Sequence, residues 1–196
     1  MILRNSLFSL PFISLAVLFS NSAQAEVEAI LTAGLELGGE DLVTTSESDL
    51  TAGGGISLGA GLSFSPADSS LSLRTVIHYL FDTVEFTSPD GEASANSFPI
   101  EVGLFNSWNK HEIGTGLSYH LNPSHELEFF NMGSGTVDFE DASGYFLQYN
   151  YIFSQSGSSS NGNNSYVGIK YTAMDYELQN DTIDANSLGI YIGTRF

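Results

Sequence analysis

The stretch Leu188-Gly-Ile-Tyr-Ile-Gly-Thr-Arg-Phe196 alternates apolar side chains with small or polar ones. Leu188, Ile190, Ile192 and Phe196 share one face, which only Thr194 interrupts. Successive side chains of a β-strand point to opposite faces, so this face is apolar along its whole length. A strand of about ten residues with one apolar face is typical of the wall of a membrane-spanning β-barrel.

The amino-terminal residues predict export from the cytoplasm. Arg4 supplies a positive charge, residues 7–19 form an apolar core, and Ala23-Gln24-Ala25 matches a small-residue cleavage site. The apolar core is too short to span a bilayer as a helix. We therefore expect residues 1–25 to be a signal peptide and residues 26–196 to form one barrel domain.

The remaining sequence contains no other stretch that resembles a transmembrane helix. Within a bilayer, backbone polar groups are satisfied only inside helices or closed barrels. The alternating pattern supplies eight candidate strands, at residues 28–38, 56–64, 71–86, 98–105, 112–121, 145–153, 166–178 and 188–196. We predict an all-β fold, an eight-stranded antiparallel transmembrane β-barrel, with outer loops at residues 39–53, 87–97 and 180–185.

The region between the fifth and sixth strands leaves an alternative of ten strands. Leu127 and Phe129 continue the outward parity of the fifth strand, and Val137 and Phe139 continue that of the sixth. Five acidic residues crowd this region, and such a density suits water better than a bilayer. Eight strands are therefore preferred, with a hairpin that projects around Met132-Gly-Ser-Gly135.

The terminal strand and its aromatic end resemble those of small single-chain outer-membrane barrels, of the OmpA transmembrane domain and OmpX type. The resemblance covers residues 26–196 as a pattern and is sharpest in the last strand. It implies that Leu188, Ile190, Ile192 and Phe196 form the signal that the barrel-insertion machinery reads. It also implies a monomer in the bacterial outer membrane, in contact with outer-membrane lipid and lipopolysaccharide.

Ten side chains lie on the strand faces that are predicted to line the lumen. They are Glu36, Arg74, His78, Asp82, Glu101, His120, Gln148, Lys170, Tyr191 and Arg195. An eight-stranded barrel is just wide enough for its own side chains, and an unpaired buried charge is costly. We expect a packed polar core in which Arg74, Lys170 and Arg195 pair with Glu36, Asp82 and Glu101 in some combination. A narrow gated pore lined by the same charges is the alternative.

The charge balance argues against nucleic acid as a partner. The formal net charge is −18, and removal of residues 1–25 takes away one cation and no acid. Phosphate backbones bind to basic surfaces, which this composition does not provide. The acids are scattered rather than spaced as in a metal-binding loop, so we expect neither a metal nor a cofactor. A less favoured hypothesis is that Glu40, Asp41, Glu47 and Asp49 hold divalent cations that bridge to lipopolysaccharide.

A catalytic site has one candidate location, the cluster His120, Ser124, His125 and Glu126. On a regular strand His120 points inward and His125 outward, so the cluster converges only if the chain bulges near Pro123. We therefore expect no catalytic residues. The predicted role is non-enzymatic, either in envelope integrity or in binding through the loops, and a lipid-modifying enzyme similar to the lipid A deacylases is the alternative.

Overall fold

The computed structural model describes residues 25–44, 49–87, 90–129, 133–155, 164–178 and 181–196. The predicted signal peptide, apart from Ala25, lies outside the described residues, as does most of the Ser/Gly/Asn-rich stretch at 154–165. No helix within these ranges is long and apolar enough to cross a membrane. The described residues form thirteen strands: β1 (Ala25–Leu37), β2 (Asp41–Thr44), β3 (Asp49–Thr51), β4 (Gly55–Pro66), β5 (Leu71–Thr87), β6 (Asp90–Trp108), β7 (His111–Phe129), β8 (Gly133–Asp138), β9 (Ala142–Gln155), β10 (Asn164–Ala173), β11 (Asp175–Leu178), β12 (Asp181–Asp184) and β13 (Ser187–Arg195).

Eight of these strands close into an antiparallel barrel in the order β1-β4-β5-β6-β7-β9-β10-β13. The seam joins β1 to β13, from Ile30 opposite Arg195 to Leu37 opposite Leu188. Beyond that ladder, the backbones of Ala29 and Phe196 exchange hydrogen bonds of 2.8 and 3.1 Å. Closure pairs the backbone groups of the wall with one another, as hydrocarbon surroundings require. The predicted eight-stranded barrel is confirmed.

The two faces of the wall differ sharply in exposure. Leu35 and Ile190 point outward and are 61% and 63% exposed, whereas the adjacent Glu36 and Tyr191 are 5% and 2% exposed. Large apolar side chains cover the outside of the barrel all the way round, which suits contact with lipid rather than water. The strand faces predicted from alternation are therefore confirmed for the barrel wall.

Three barrel strands continue past one rim of the barrel, at the end away from the chain termini, and form a sheet with β8. Residues 83–87 of β5 pair with 90–94 of β6, and residues 91–96 of β6 pair with 124–129 of β7, which in turn pair with β8. We call these four strand segments the projecting sheet. The predicted hairpin around residue 132 is thus one edge of a larger structure. The expected outer loop at 87–97 was wrong, because residues 91–96 pair with β5 on one side and with β7 on the other.

A bulge at Asn122 and Pro123 reverses the two faces of β7. The register between β6 and β7 shifts opposite Ser97, and Asn122 has a φ of +47°. One extra residue moves every later side chain to the other face. The expectation that Leu127 and Phe129 point outward was therefore wrong: both pack inward, and the ring of Phe129 lies 5.7 Å from that of Phe86.

The outer connections fold inward over the mouth of the barrel. The β2–β3 hairpin buries Leu50 completely against Val84, Phe86 and Ala93 of the projecting sheet. A second apolar cluster, which we call the apolar cap, draws on three of these connections. It consists of Ala52, Phe139, Ala142, Met174, Tyr176 and Ala185. A barrel with a polar lumen is thereby closed at its outer end by hydrophobic contacts.

Candidate functional site

The half of the lumen next to the β6–β7 turn is organised around Glu112, which is completely buried. Arg74 donates two hydrogen bonds to its carboxylate, one of them 2.6 Å long from Nη1 to Oε1. Arg195 Nη1 lies 3.4 Å from Glu112 Oε2, and Ser107 Oγ and Asn150 Nδ2 each donate to the carboxylate at 2.8 Å. Glu28 Oε2 lies 3.7 Å from the same Arg195 nitrogen, so two acids face the two cations, and the neutral donors complete the coordination of Glu112.

A second group of charges occupies the middle of the lumen. Lys170 forms an ion pair with Glu101 and lies 3.9 Å from Glu36, and the three side chains are nearly inaccessible to solvent. His78 Nε2 is 3.3 Å from the Glu101 carboxylate. Tyr191 donates a hydrogen bond to Glu36, and its ring lies 4.5 Å below the Lys170 ammonium. The buried cations and acids of the lumen therefore balance one another.

Not every side chain predicted for the lumen joins these two groups. Gln148 is buried and donates to Asn150 at 2.8 Å, which connects it to the Glu112 group. Asp82 does not contact either group, because β5 leaves the barrel at this level. The half-buried Asp82 carboxylate accepts a hydrogen bond of 2.9 Å from the Thr83 N–H. His120 lies above both groups, where its Nδ1 is 2.8 Å from the Tyr176 hydroxyl.

Sequence reasoning missed Glu112 as the partner of the arginines. It expected Arg74 and Arg195 to pair among Glu36, Asp82 and Glu101, but both arginines contact Glu112. Glu112 follows the turn after Trp108 and shares the inward parity of Gly114, and that parity was the signal that could have identified it. The four side chains of the predicted insertion signal all lie on the outer face of β13 and the residue after it.

Aromatic rings fill the space that inward-facing glycines leave in the lumen. A Cβ atom built on Gly34 would lie 2.5 Å from the Tyr191 ring, and the rings of Phe105 and Phe146 lie in the same way over glycines of neighbouring strands. The cavity that remains between Arg74, His78 and Lys170 has a volume of about 20 Å³. That volume holds about one water molecule. The lumen is a packed core with no open path through it at this level.

The Ser–His cluster does not form a catalytic arrangement among the described residues. The bulge near Pro123 does turn His125 inward, and it is only 4% exposed. However, neither ring nitrogen of His125 has a hydrogen-bond partner, and the nearest partner of His120 is Tyr176 rather than Ser124. A hydrolase needs a nucleophile hydrogen-bonded to a base, and the base to an orienting group.

The acidic loops do not converge on a metal site within the described part of the chain. No three Asp, Glu or His side chains come close enough there to hold an ion. Of the four acids in the divalent-cation hypothesis, Glu47 lies outside the described residues.

The arrangement of the wall agrees with comparisons to solved structures. No protein-family model and no curated protein matches the chain. The structure of Ail, the attachment invasion locus protein of Yersinia pestis, in complex with the heparin analogue sucrose octasulfate, matches with a TM-score of 0.57. The identity is 8%, and the match covers 88% of this chain and 99% of Ail. The fold is that of the small outer-membrane β-barrels.

Two further barrels cover the same 88% of this chain at lower structural similarity. Neisserial surface protein A is matched over 97% of its length, with 11% identity and a TM-score of 0.45. The N-terminal β-barrel domain of Pseudomonas aeruginosa OprF is matched over 100% of its length, with 11% identity and a TM-score of 0.39. At these identities the likeness concerns the fold alone.

Proposed function

We propose that this protein resides in the bacterial outer membrane and binds a partner at the cell surface through the projecting sheet, without enzymatic activity. The observation that carries the proposal is β8. One edge of β8 bonds to β7, all six of its residues are exposed, and no described strand lies along its other edge. An exposed strand edge offers unpaired N–H and C=O groups that an extended segment of another chain can complete.

Among the residues that the structure describes, the edge of β8 also lacks the features that usually block strand addition. Proteins protect free edges with lysine, proline, bulges or a covering loop. The sequence Gly133-Ser-Gly-Thr-Val-Asp138 contains neither lysine nor proline, and its register with β7 is regular. An unprotected edge of six residues supports a binding role.

The charge of the outer connections favours a cationic partner. Residues 38–54, 82–97 and 174–186 each contain four acids, residues 121–141 contain five, and none of these stretches contains Lys or Arg. Such a surface attracts basic segments and repels a second copy of itself. Ail was crystallised with a polyanion, whereas the present outer surface is strongly negative. The partner we propose is therefore a cationic polypeptide segment in extended conformation.

Peptide binding to the full chain in lipid nanodiscs tests this proposal. The probes are a seven-residue peptide of alternating Thr and Val flanked by Lys, and the same peptide flanked by Glu. We expect saturable binding of the Lys-flanked peptide, which weakens as salt is added, and no binding of the Glu-flanked one. Equal binding of the two peptides, or none of either, contradicts the proposal.

Two proline variants locate the binding edge. Neighbouring residues of an antiparallel strand send their N–H groups to opposite edges. Of Gly135→Pro and Thr136→Pro, one therefore removes a bond to β7 and the other removes a donor from the free edge. We expect the free-edge variant to lose peptide binding while the β7–β8 amides keep their protection from hydrogen exchange. Full binding by both variants would place the contact elsewhere.

A further inference from the structure

The barrel wall is interrupted between β9 and the strands that follow β10. The last ladder pair is Tyr145 with Ala173, after which β11 pairs with β12 instead of β9. β9 meanwhile continues to Ala142 in pairing with β7. The two sides meet again where the Glu140 N–H donates to the Glu177 carbonyl at 3.0 Å. We call the opening bounded by residues 141–145 and 173–177 the lateral window.

The lateral window contains an open cavity of about 460 Å³. This volume falls within the range of about 300–1,000 Å³ that small-molecule sites occupy. Exposed Asp175 and Glu177 line its mouth, and Ala142 and Met174, which belong to the apolar cap, form its floor. Tyr145, 69% exposed, stands at its lower border. A ligand must therefore suit an acidic mouth and an apolar floor at once.

Several polar groups around the window remain available to a ligand. Asp141 is engaged, because its carboxylate accepts from the Tyr119 hydroxyl at 3.1 Å and from the Asn122 N–H at 3.0 Å. Within the described ranges, the carboxylates of Asp175 and Glu177 take part in no hydrogen bond or ion pair. On the side facing the window, residues 142–144 of β9 have no strand partner. The carboxylates and the free backbone carbonyl groups can accept hydrogen bonds from a ligand in the cavity.

The position of the window along the barrel axis limits where a ligand comes from. Unpaired backbone at the wall is not tolerated in hydrocarbon, so the window lies at the membrane–water interface or above it. Exposed tyrosine is enriched at that interface, in agreement with Tyr145 at the lower border. Ligands therefore reach the window from the outer lipid headgroups or from the aqueous phase.

We propose that the lateral window binds an organic ammonium group that carries an apolar chain. The ammonium donates to the Asp175 and Glu177 carboxylates and to the free edge of β9, with the face of Tyr145 as a further electrostatic partner. The chain lies against Ala142 and Met174. The source is either an ammonium-bearing lipid headgroup or a free alkylamine. The site does not depend on the projecting sheet or on its partner.

Titration of the isotope-labelled full chain in phosphatidylglycerol nanodiscs, followed by backbone amide NMR, tests the site. The probes are octylammonium, octanol and octanoate below their aggregation concentrations. We expect octylammonium to give saturable shifts confined to residues 141–145 and 173–177, with octanol weaker and octanoate inactive. Shifts spread over all acidic loops, or equal responses to octanol and octylammonium, would overturn the proposal.

Variants distinguish a specific binding site from non-specific attraction of the ammonium group by negative charge. We expect the double variant Asp175→Asn with Glu177→Gln to weaken octylammonium binding about three- to tenfold, since exposed charges each contribute modestly. Ser143→Tyr, which places a ring into the opening, should abolish the shifts at residues 173–177. Asp68→Asn in the periplasmic turn removes one charge far from the window and is the control. Unchanged affinity in the double variant refutes the proposal.

Nanodiscs that contain phosphatidylethanolamine distinguish the two sources. If the lipid headgroup fills the window, the same amides shift without any added amine, and octylammonium then binds more weakly. If a free amine is the ligand, the spectra in the two lipids agree and the octylammonium affinity is unchanged. If the wild-type protein does not bind octylammonium in either lipid, the proposed site is wrong, whatever the outcome for peptide binding at β8.

Discussion

Arg74 on β5 and Glu112 on β7 form a two-pronged ion pair inside the barrel, across the inner face of the intervening strand β6. Both side chains are almost completely buried. The pair links strands that are not neighbours, and Arg195 on the closing strand contacts the same carboxylate at 3.4 Å. One acid therefore ties together β5, β7 and β13, and this makes it the natural position at which to test the lumen.

Replacement Glu112→Ala should destabilise the barrel strongly. It leaves two buried guanidinium groups without this acid, and removal of one partner from a buried ion pair costs about 3–5 kcal/mol. Urea unfolding in lipid vesicles measures the loss in the free energy of unfolding. The exposed Glu26→Ala on β1 is the control and should change this free energy by less than about 0.5 kcal/mol. A loss below about 1 kcal/mol for Glu112→Ala would mean that the lumen is hydrated rather than packed.

The packed lumen predicts that the wild-type barrel carries no steady ion current in planar bilayers. The residual cavity of about 20 Å³ does not accommodate a hydrated ion. Tyr191→Ala removes a ring that is 2% exposed and packed on Gly34, so brief openings are expected for this variant. Tyr151→Ala, on the outer face, should behave like wild type. A stable open current from the unmodified barrel would favour the gated pore instead.

His125 should make the stability of the protein depend on pH. Burial lowers the pKa of His125, so the folded protein keeps the ring neutral while the unfolded chain takes up a proton near the ordinary value of 6.5. The unfolded state then binds more protons, and the free energy of unfolding falls as the pH drops through that value.

Comparison of wild type with His125→Leu isolates this contribution from that of the acidic surface. The acids titrate in both proteins, so the difference between their stability curves belongs to His125. We expect the variant to lose the decline between about pH 7 and pH 5, as measured by denaturant unfolding at several pH values. Parallel curves for the two proteins would show that the ring takes up its proton equally easily in the folded state.

The sequence was sufficient for the barrel wall because lipid imposes a strict period of two on each strand. Ile190 and Tyr191 are assigned to opposite faces by counting alone, and the structure agrees. Regular alternation does not predict the faces of β7 above the membrane, where an extra residue at Asn122 is tolerated. That residue reverses the faces of Leu127 and Phe129. Alternation also does not identify Glu112 as the partner of the arginines. It gives the direction of a side chain, whereas the partner depends on the stagger between strands.

Deletion of Asn122 together with Pro123 should separate the projecting sheet from the barrel. Regular alternation after Leu121 then turns Glu126 and Glu128 inward against Leu50 and Val84, where an unpaired carboxylate is costly, while Leu127 and Phe129 turn to water. We expect the amides of residues 83–96 to exchange with solvent at least about tenfold faster, and those of β1 and β13 to keep their protection. Deletion of Asn122 alone is the control, because Pro123 then comes opposite Ser97 in a regular ladder and Leu127 and Phe129 keep their inward face. If the double-deletion variant keeps full protection in the projecting sheet, the spacing after Leu121 does not set which face of β7 is buried.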